Sequence, residues 1–143
     1  MPVRTADAEW TGTLQDGNGH MHLASGAWDG PYTFSSRFEE GQGTNPEELV
    51  AAAHAGCFSM AFSGSLVKAG FTPVSIRTSA RVHIERGEAG FSITAIELET
   101  EAEVEGIDEA RFQELALQTK DACPVSRALA AVPSISVTAT LQG

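Results

Sequence analysis

Between Leu49 and Val67 the chain carries no formally charged residue, and this stretch limits the possible folds more than any other. Its ends read as helix ends. Asn45 is a good N-cap, Pro46 suits the first helical position, and Glu47 and Glu48 place negative charge in the first turn, where it complements the helix dipole. Gly70 supplies the stop. A helix that is apolar all round belongs inside a protein, so the segment is expected to be a buried scaffold that the rest of the chain wraps. At roughly 18 to 19 uncharged residues it touches the length of a membrane span. Ala, Gly and Ser dominate it, however, and His54 interrupts it, so no membrane partner is expected.

The other segments alternate between strand and helix patterns. Ala6, Ala8, Trp10, Gly12 and Leu14 share one parity, Asp16-Gly17-Asn18-Gly19 makes a turn, and a second strand runs through Met21 and Leu23. Asp29-Gly30-Pro31 then turns the chain into a third strand, expected from Tyr32 to Phe38. After the long helix, Pro73 opens a strand through Ile76, Ala80, Val82 and Ile84. Gly87-Glu88-Ala89-Gly90 returns the chain into the clearest period-two run, in which Ile96, Leu98, Thr100, Ala102 and Val104 alternate with Glu97, Glu99, Glu101, Glu103 and Glu105. One face is core and the other is solvated carboxylate. Phe91 and Ile93 fall on the opposite parity, which requires a bulge near Thr94 or Ala95, or burial of both faces there. Asp108 caps an amphipathic helix carrying Phe112, Leu115 and Ala116; Pro124 ends it at Cys123 and opens another helix. A last strand alternates Ile135, Val137, Ala139 and Leu141. The order βββ-α-ββ-α-α-β is an α+β pattern in a single domain, 1–143, with antiparallel strands expected around the long buried helix.

Charge narrows the function. With 9 basic and 19 acidic side chains the formal charge is −10, which disfavours nucleic acid as a partner. The first residues lack the apolar core of a secretory signal, so a cytoplasmic location is expected. In a reducing compartment two cysteines suggest a catalytic or redox pair more than a structural staple.

Cys57 stands in the long helix and Cys123 at a helix N-terminus, where backbone N–H groups favour a thiolate. A thiol buried in an apolar wall is harder to ionise and needs a cation. Arg37, just before the long helix, is the best placed, with Lys120 and Arg127 in reserve; Arg77, Arg81 and Arg86 read as solvated face. Glu47 or Glu48 could orient Arg37 or simply serve the helix dipole. Glu47 and Cys57 are ten residues apart, about 15 Å along a helix axis. An Arg37–Glu47 pair that serves Cys57 is therefore expected from a second copy of the chain. His54, one turn before Cys57, could act as a base or be a packed core histidine. His20 and His22 share a strand face, but no cluster completes a metal site, and none is expected. Phe38, Phe58, Met60 and Phe62 are candidate walls of an apolar substrate pocket, or core.

These residues carry a resemblance that spans nearly the whole chain. Arg37-Phe38, Gly43-Thr44-Asn45-Pro46-Glu47-Glu48-Leu49, Ala52-Ala53-His54-Ala55-Gly56-Cys57-Phe58-Ser59-Met60-Ala61, Gly70-Phe71-Thr72-Pro73 and Cys123-Pro124-Val125-Ser126 together resemble the OsmC/Ohr family of osmotically inducible and organic-hydroperoxide-resistance proteins, the OsmC branch most. The resemblance implies an OsmC-like fold in an intertwined homodimer with long central helices. It also implies a thiol peroxidase for organic hydroperoxides that needs no cofactor. Cys57 would be the peroxidatic thiol, Cys123 the resolving thiol, and Arg37 with Glu47 the activating pair. A Cys57–Cys123 disulfide would then be reopened by a dithiol of lipoyl type. Two alternatives belong to other classes: a Cys57–His54 hydrolase or acyltransferase, and a non-enzymatic carrier of a lipid-like ligand.

Overall fold

The computed structural model describes residues 2–143, which divide into two compact units, residues 2–49 and 50–143. The first unit is an antiparallel meander of β1 (Ala6–Thr11), β2 (Asn18–Leu23) and β3 (Asp29–Tyr32), followed by a short helix α1 (Phe34–Phe38). Trp10 and Tyr32 meet across the sheet with ring centroids 5.4 Å apart, and Gly19 lies between their strands, where a Cβ would sit within 2.7 Å of both rings. Leu14, by contrast, is largely exposed.

The third strand occupies Asp29-Gly30-Pro31, where a turn was expected, and ends at Tyr32, where the strand was expected to begin; beyond it serine and threonine hydroxyls redirect the backbone. Ser36 N donates to Thr33 Oγ1 at 3.0 Å and Thr33 N donates to Ser36 Oγ at 2.8 Å, a capping box that starts a helical turn in place of a ladder. Phe34 and Phe38 then stack one turn apart, with centroids separated by 5.0 Å. Arg37 thus stands on a helix, not on a strand. The element order gains one helix, and the α+β class is unchanged.

The long helix α2 (Pro46–Lys68) is one continuous element, beginning in the first unit and running on through the second. Glu48 N donates to Asn45 Oδ1 at 2.7 Å, as an N-cap requires. At the other end Gly70, at φ 96°, allows Phe71 N to reach Leu66 O at 2.9 Å and Gly70 N to reach Val67 O at 3.0 Å. That pairing is a Schellman stop.

The second unit packs α2 on a sheet of order β4-β5-β6, where β4 is Pro73–Gly87, β5 is Gly90–Val104 and β6 is Ser134–Gln142. β4 and β5 form an antiparallel hairpin as expected; β6, expected antiparallel, instead runs parallel to β5, because it is reached through α3 (Glu109–Ala122) and α4 (Pro124–Ala128). Parallel pairing needs such a crossover. Ile96, Leu98, Ala102 and Val104 of β5 face Phe58, Phe62 and Leu66 of α2 and Phe112, Leu115 and Ala116 of α3 in one core. The register shift places Thr94 as the extra residue between the pairs His83↔Ala95 and Ile84↔Ile93, a bulge that accounts for the change of parity. Thr100, the polar member of the buried stripe, is satisfied by Thr78 Oγ1 at 3.0 Å, and Thr78 in turn accepts from Ser59 of α2 at 2.8 Å.

One expectation about α2 is corrected. His54, Phe58, Phe62 and Leu66, spaced four apart, are fully buried, yet Ala52, Ala53, Gly56, Gly64 and Val67 are exposed and Met60 is 80 % exposed. A single chain encloses one stripe of this helix and leaves the opposite apolar face open.

Candidate active site

Two sets of candidate side chains stand on these elements, one in each unit. The first lies within residues 1–49. Arg37, carried by α1, meets Glu47 in the first turn of α2: Nη2 donates to Oε1 at 2.7 Å, and Nε donates to Oε1 and Oε2 at 3.1 and 3.2 Å. Two nitrogens on one carboxylate fix the guanidinium plane, not merely its charge. The carboxylate is nearly buried, while the guanidinium stays partly open. Glu48 plays a different part: it accepts from the Thr44 hydroxyl at 2.7 Å and shapes the loop before the helix. The guanidinium carbon also lies 5.0 Å from the Phe38 ring centroid. Trp10, Leu14, Tyr32, Phe34, Arg37 and Phe38 line a cavity of about 400 Å³, aromatic on its walls and cationic at one point.

The second set lies within residues 50–143. Cys57 of α2 and Cys123, which caps α4, are free thiols whose sulfurs are 2.9 Å apart. Pro124 fits the start of α4 and holds Cys123 at φ −55°, ψ 127°, outside the helical region, so its side chain turns back toward α2. The contact alone would let either thiol donate to the other; the surroundings decide. Burial pushes the Cys57 thiol above its ordinary range, and neighbouring Cys123 adds to the rise, opposed only in part by the Val125 N–H. Cys123 is fully enclosed, and its burial also resists ionisation, but the Cys57 thiol, the Ser126 and Val125 N–H groups and the Ser126 hydroxyl outweigh that and lower its pKa. None of those N–H groups makes a strict capping hydrogen bond, so they act as oriented dipoles. The unit that holds Cys57 supplies no cation to it.

His54 does not meet Cys57. Its Nε2 lies 2.6 Å from Ser126 Oγ, both groups are buried, and its Nδ1 has no hydrogen-bond partner among the described residues. Ser126 is the functional neighbour that sequence reasoning missed; its place three residues after the cysteine, where an N-cap side chain usually finds its donor, was the available signal. The expected pocket walls divide. Phe58 and Phe62 are fully buried and stack in series with Phe112, at 5.5 and 5.4 Å, so they are core and line no cavity. Met60 borders a shallow cleft with Ser59, Ser63 and Pro73–Ile76, and Phe38 lines the aromatic cavity above. His20 and His22 both approach Asp29 at 3.7 Å on an exposed strand face, and no group of three or more metal-ligating side chains occurs among the described residues. Arg81 pairs with Glu97 at 2.6 Å on the solvated face expected for it.

The family model for OsmC-like proteins matches residues 39–138, a span that includes both cysteines and Glu47. The chain belongs to the OsmC-like family. It is 47% identical over 129 residues to the peroxiredoxin OsmC of Escherichia coli, covering 90% of each chain. It is 34% identical over 102 residues to an organic hydroperoxide resistance protein of Xanthomonas axonopodis pv. citri, covering 71% of this chain and 68% of that one. Among solved structures, an organic hydroperoxide resistance protein from Elizabethkingia anophelis aligns with a TM-score of 0.68 at 26% identity, covering 99% of this chain and 98% of that chain. An OsmC-like protein from Mycoplasma pneumoniae shares the fold, with a TM-score of 0.76 at 14% identity over 99% of both chains.

Proposed function

We propose that this OsmC-like chain is a cysteine-based peroxidase that reduces organic hydroperoxides to alcohols. The observation that carries the reading is the pair of free sulfurs 2.9 Å apart, one half-buried and one fully enclosed. The names of the two curated relatives, a peroxiredoxin and an organic hydroperoxide resistance protein, point the same way. Cys57 is the peroxidatic thiol because peroxide can reach it, whereas Cys123 has no exposed surface. The Cys57 thiolate attacks the terminal peroxide oxygen, the O–O bond breaks, and an alkoxide leaves and takes a proton to become the alcohol. Cys57 becomes a sulfenic acid. Cys123 then displaces hydroxide from it, and a dithiol of lipoyl type reopens the disulfide by exchange.

Cys57 needs help to ionise, since its own surroundings raise its pKa. The Arg37–Glu47 pair is suited to that task and to donating hydrogen bonds as charge develops on the leaving oxygen. On one helix Glu47 and Cys57 stand ten residues apart, about 15 Å along the axis, so the pair that serves Cys57 comes from a second copy. The open apolar face of α2 gives such a copy a surface to cover, and the aromatic cavity beside Arg37 is the place for the hydroperoxide's organic part. Both units act as one OsmC-like domain, since the family match runs across the boundary between them. A relative named as a peroxiredoxin and a formal charge of −10 favour a soluble enzyme.

A cysteine hydrolase is less well supported, because His54 is bonded to Ser126 and not to Cys57. The test is to mix reduced protein with cumene hydroperoxide and with hydrogen peroxide in separate reactions, following thiol loss and intramolecular disulfide by mass. Faster loss with the organic peroxide is expected; equal rates, or no disulfide, would remove the proposal.

A further inference from the structure

His54 is buried, titratable and unused by the chemistry above, and its position is not arbitrary. On α2 it stands three residues before Cys57; on α4 Ser126 stands three residues after Cys123. Residues three apart lie on one face of a helix, so the two segments meet in two rungs, Cys57–Cys123 at 2.9 Å and His54–Ser126 at 2.6 Å. The direction of the second rung follows from the other ring nitrogen. Nδ1 is buried without a partner among the described residues, and a protonated Nδ1 would be an orphaned N–H, whereas an unprotonated one leaves only an unused lone pair. The imidazole is neutral, since burial lowers its pKa. The proton therefore sits on Nε2, which donates to Ser126 Oγ and leaves the serine hydrogen available to the neighbouring Cys123 sulfur, whose ionisation the Ser126 hydroxyl favours.

We propose that His54 and Ser126 are positioning residues for the resolving step: a buried donor relay, His54 Nε2–H to Ser126 Oγ–H to Cys123 sulfur, that holds Cys123 as the attacking thiolate. The inference rests on the peroxidase reading for its place in the reaction. In that step the Cys123 thiolate attacks the Cys57 sulfenic sulfur, an S–S bond forms, the S–O bond breaks, and the departing hydroxide is protonated by solvent. The titratable and charged groups on the elements around Cys123 are Cys57 and His54 on α2, Lys120 and Asp121 at the end of α3, and Arg127 on α4. Lys120 and Asp121 pair with each other at 3.2 Å. The relay supplies the donors that ionised sulfur needs in an enclosed place.

The test uses the full chain with Cys57→Ser, so that Cys123 alone of the thiols titrates, and follows the ultraviolet absorbance of its thiolate against pH, which needs no access to the enclosed sulfur. In that background Ser126→Ala and His54→Leu are expected to move the midpoint up by about one pH unit, a tenfold loss of thiolate below the midpoint. His54→Gln, whose amide N–H can replace Nε2–H, is expected to restore it. Ser126→Ala removes one oxygen and keeps the backbone, which guards against a misfolded variant; an unchanged midpoint in that variant overturns the relay. With Cys57 present, Ser126→Ala should slow disulfide formation about tenfold while leaving sulfenic acid formation, trapped with dimedone, at its original rate. Equal slowing of both steps would assign Ser126 a general structural role and also overturn the proposal. The titration needs no peroxide, so a shifted midpoint in a protein inert to cumene hydroperoxide would remove the peroxidase reading and leave the relay standing.

Discussion

Arg37 holds Glu47 through two guanidinium nitrogens, the shortest contact being Nη2 to Oε1 at 2.7 Å, and this pair joins a five-residue helix to the first turn of a long one. The geometry fixes the plane of the guanidinium and leaves its outer edge open. Its remaining N–H groups are free of the carboxylate and able to meet an incoming oxygen anion. Such an arrangement suits a cation offered to something outside its own unit, where electrostatic stabilisation of a leaving oxygen is required.

The two partners should therefore differ in importance. On the proposed reading Arg37→Ala removes both the charge offered to the thiol and the donors to the peroxide, and should slow Cys57 oxidation by cumene hydroperoxide about 100-fold or more. Glu47→Gln keeps one acceptor for the guanidinium and should lose only about tenfold. Stopped-flow rates of thiol loss measure both. Equal losses, or a larger one for Glu47→Gln, would remove the orienting role given to the carboxylate.

The cysteines make a second, sharper contrast. Cys123→Ser should consume one equivalent of hydroperoxide per chain and stop at the Cys57 sulfenic acid, detected as a gain of one oxygen by mass. Cys57→Ser should consume none. A hydrolase would behave in the opposite way, because Cys123 has no part in acyl transfer. Continued multiple turnover by Cys123→Ser with a dithiol present would sink the assignment of a resolving thiol.

Local signals in the sequence account for most of what the structure contains. The β5 alternation is read directly because each glutamate marks the solvent face, and the caps at Asn45, Gly70 and Asp108 depend on side chains within a few residues. The Thr94 bulge showed itself as a change of parity. Helix α1 was hidden because two hydroxyls, at Thr33 and Ser36, compete with the strand for backbone donors over one turn. Phe58 and Phe62 could not be sorted between core and pocket, since helical spacing names a shared face without saying what covers it. The His54–Ser126 contact joins residues 72 apart in sequence and has no local trace. The same limit applies to the approach of the two sulfurs: their positions suggested a redox pair, but only the resemblance implied that they bond to each other.

Phe62 and Phe38 should separate stability from binding. Phe62 is fully buried between Phe58 and Phe112, so Phe62→Ala should cost about 3 to 5 kcal/mol in urea unfolding. Phe38 lines the aromatic cavity, and Phe38→Ala should raise the KM for cumene hydroperoxide with a much smaller change in unfolding midpoint. A reversed pattern would return Phe62 to the pocket.

The open face of α2 predicts association. Met60 is 80 % exposed in the single chain and stands among exposed Gly56, Gly64 and Val67. If a second copy covers this face, Met60→Glu places a charge in an apolar contact and should shift sedimentation from dimer toward monomer at micromolar concentration. The same variant should lose peroxidase activity while retaining its circular dichroism, because Cys57 would lose the guanidinium supplied from the other chain. A fully active monomer would refute the shared site.

His54 also makes stability depend on pH. Burial holds its pKa below the ordinary value of 6.5, so the folded chain keeps the ring neutral where the unfolded chain begins to protonate it. Below pH 6.5 the unfolded state therefore binds more protons than the folded one, and stability falls as the pH drops toward the lowered folded value. The slope from one such group is at most about 1.4 kcal/mol per pH unit. Urea unfolding of wild type at pH 7.5 and 5.5, compared with His54→Gln, isolates the term, because glutamine does not titrate and the carboxylates common to both proteins cancel. Wild type should lose about 1 kcal/mol more than the variant over that interval. An identical loss in the two proteins would mean that His54 is protonated as readily folded as unfolded, which a fully enclosed imidazole bonded to Ser126 does not allow.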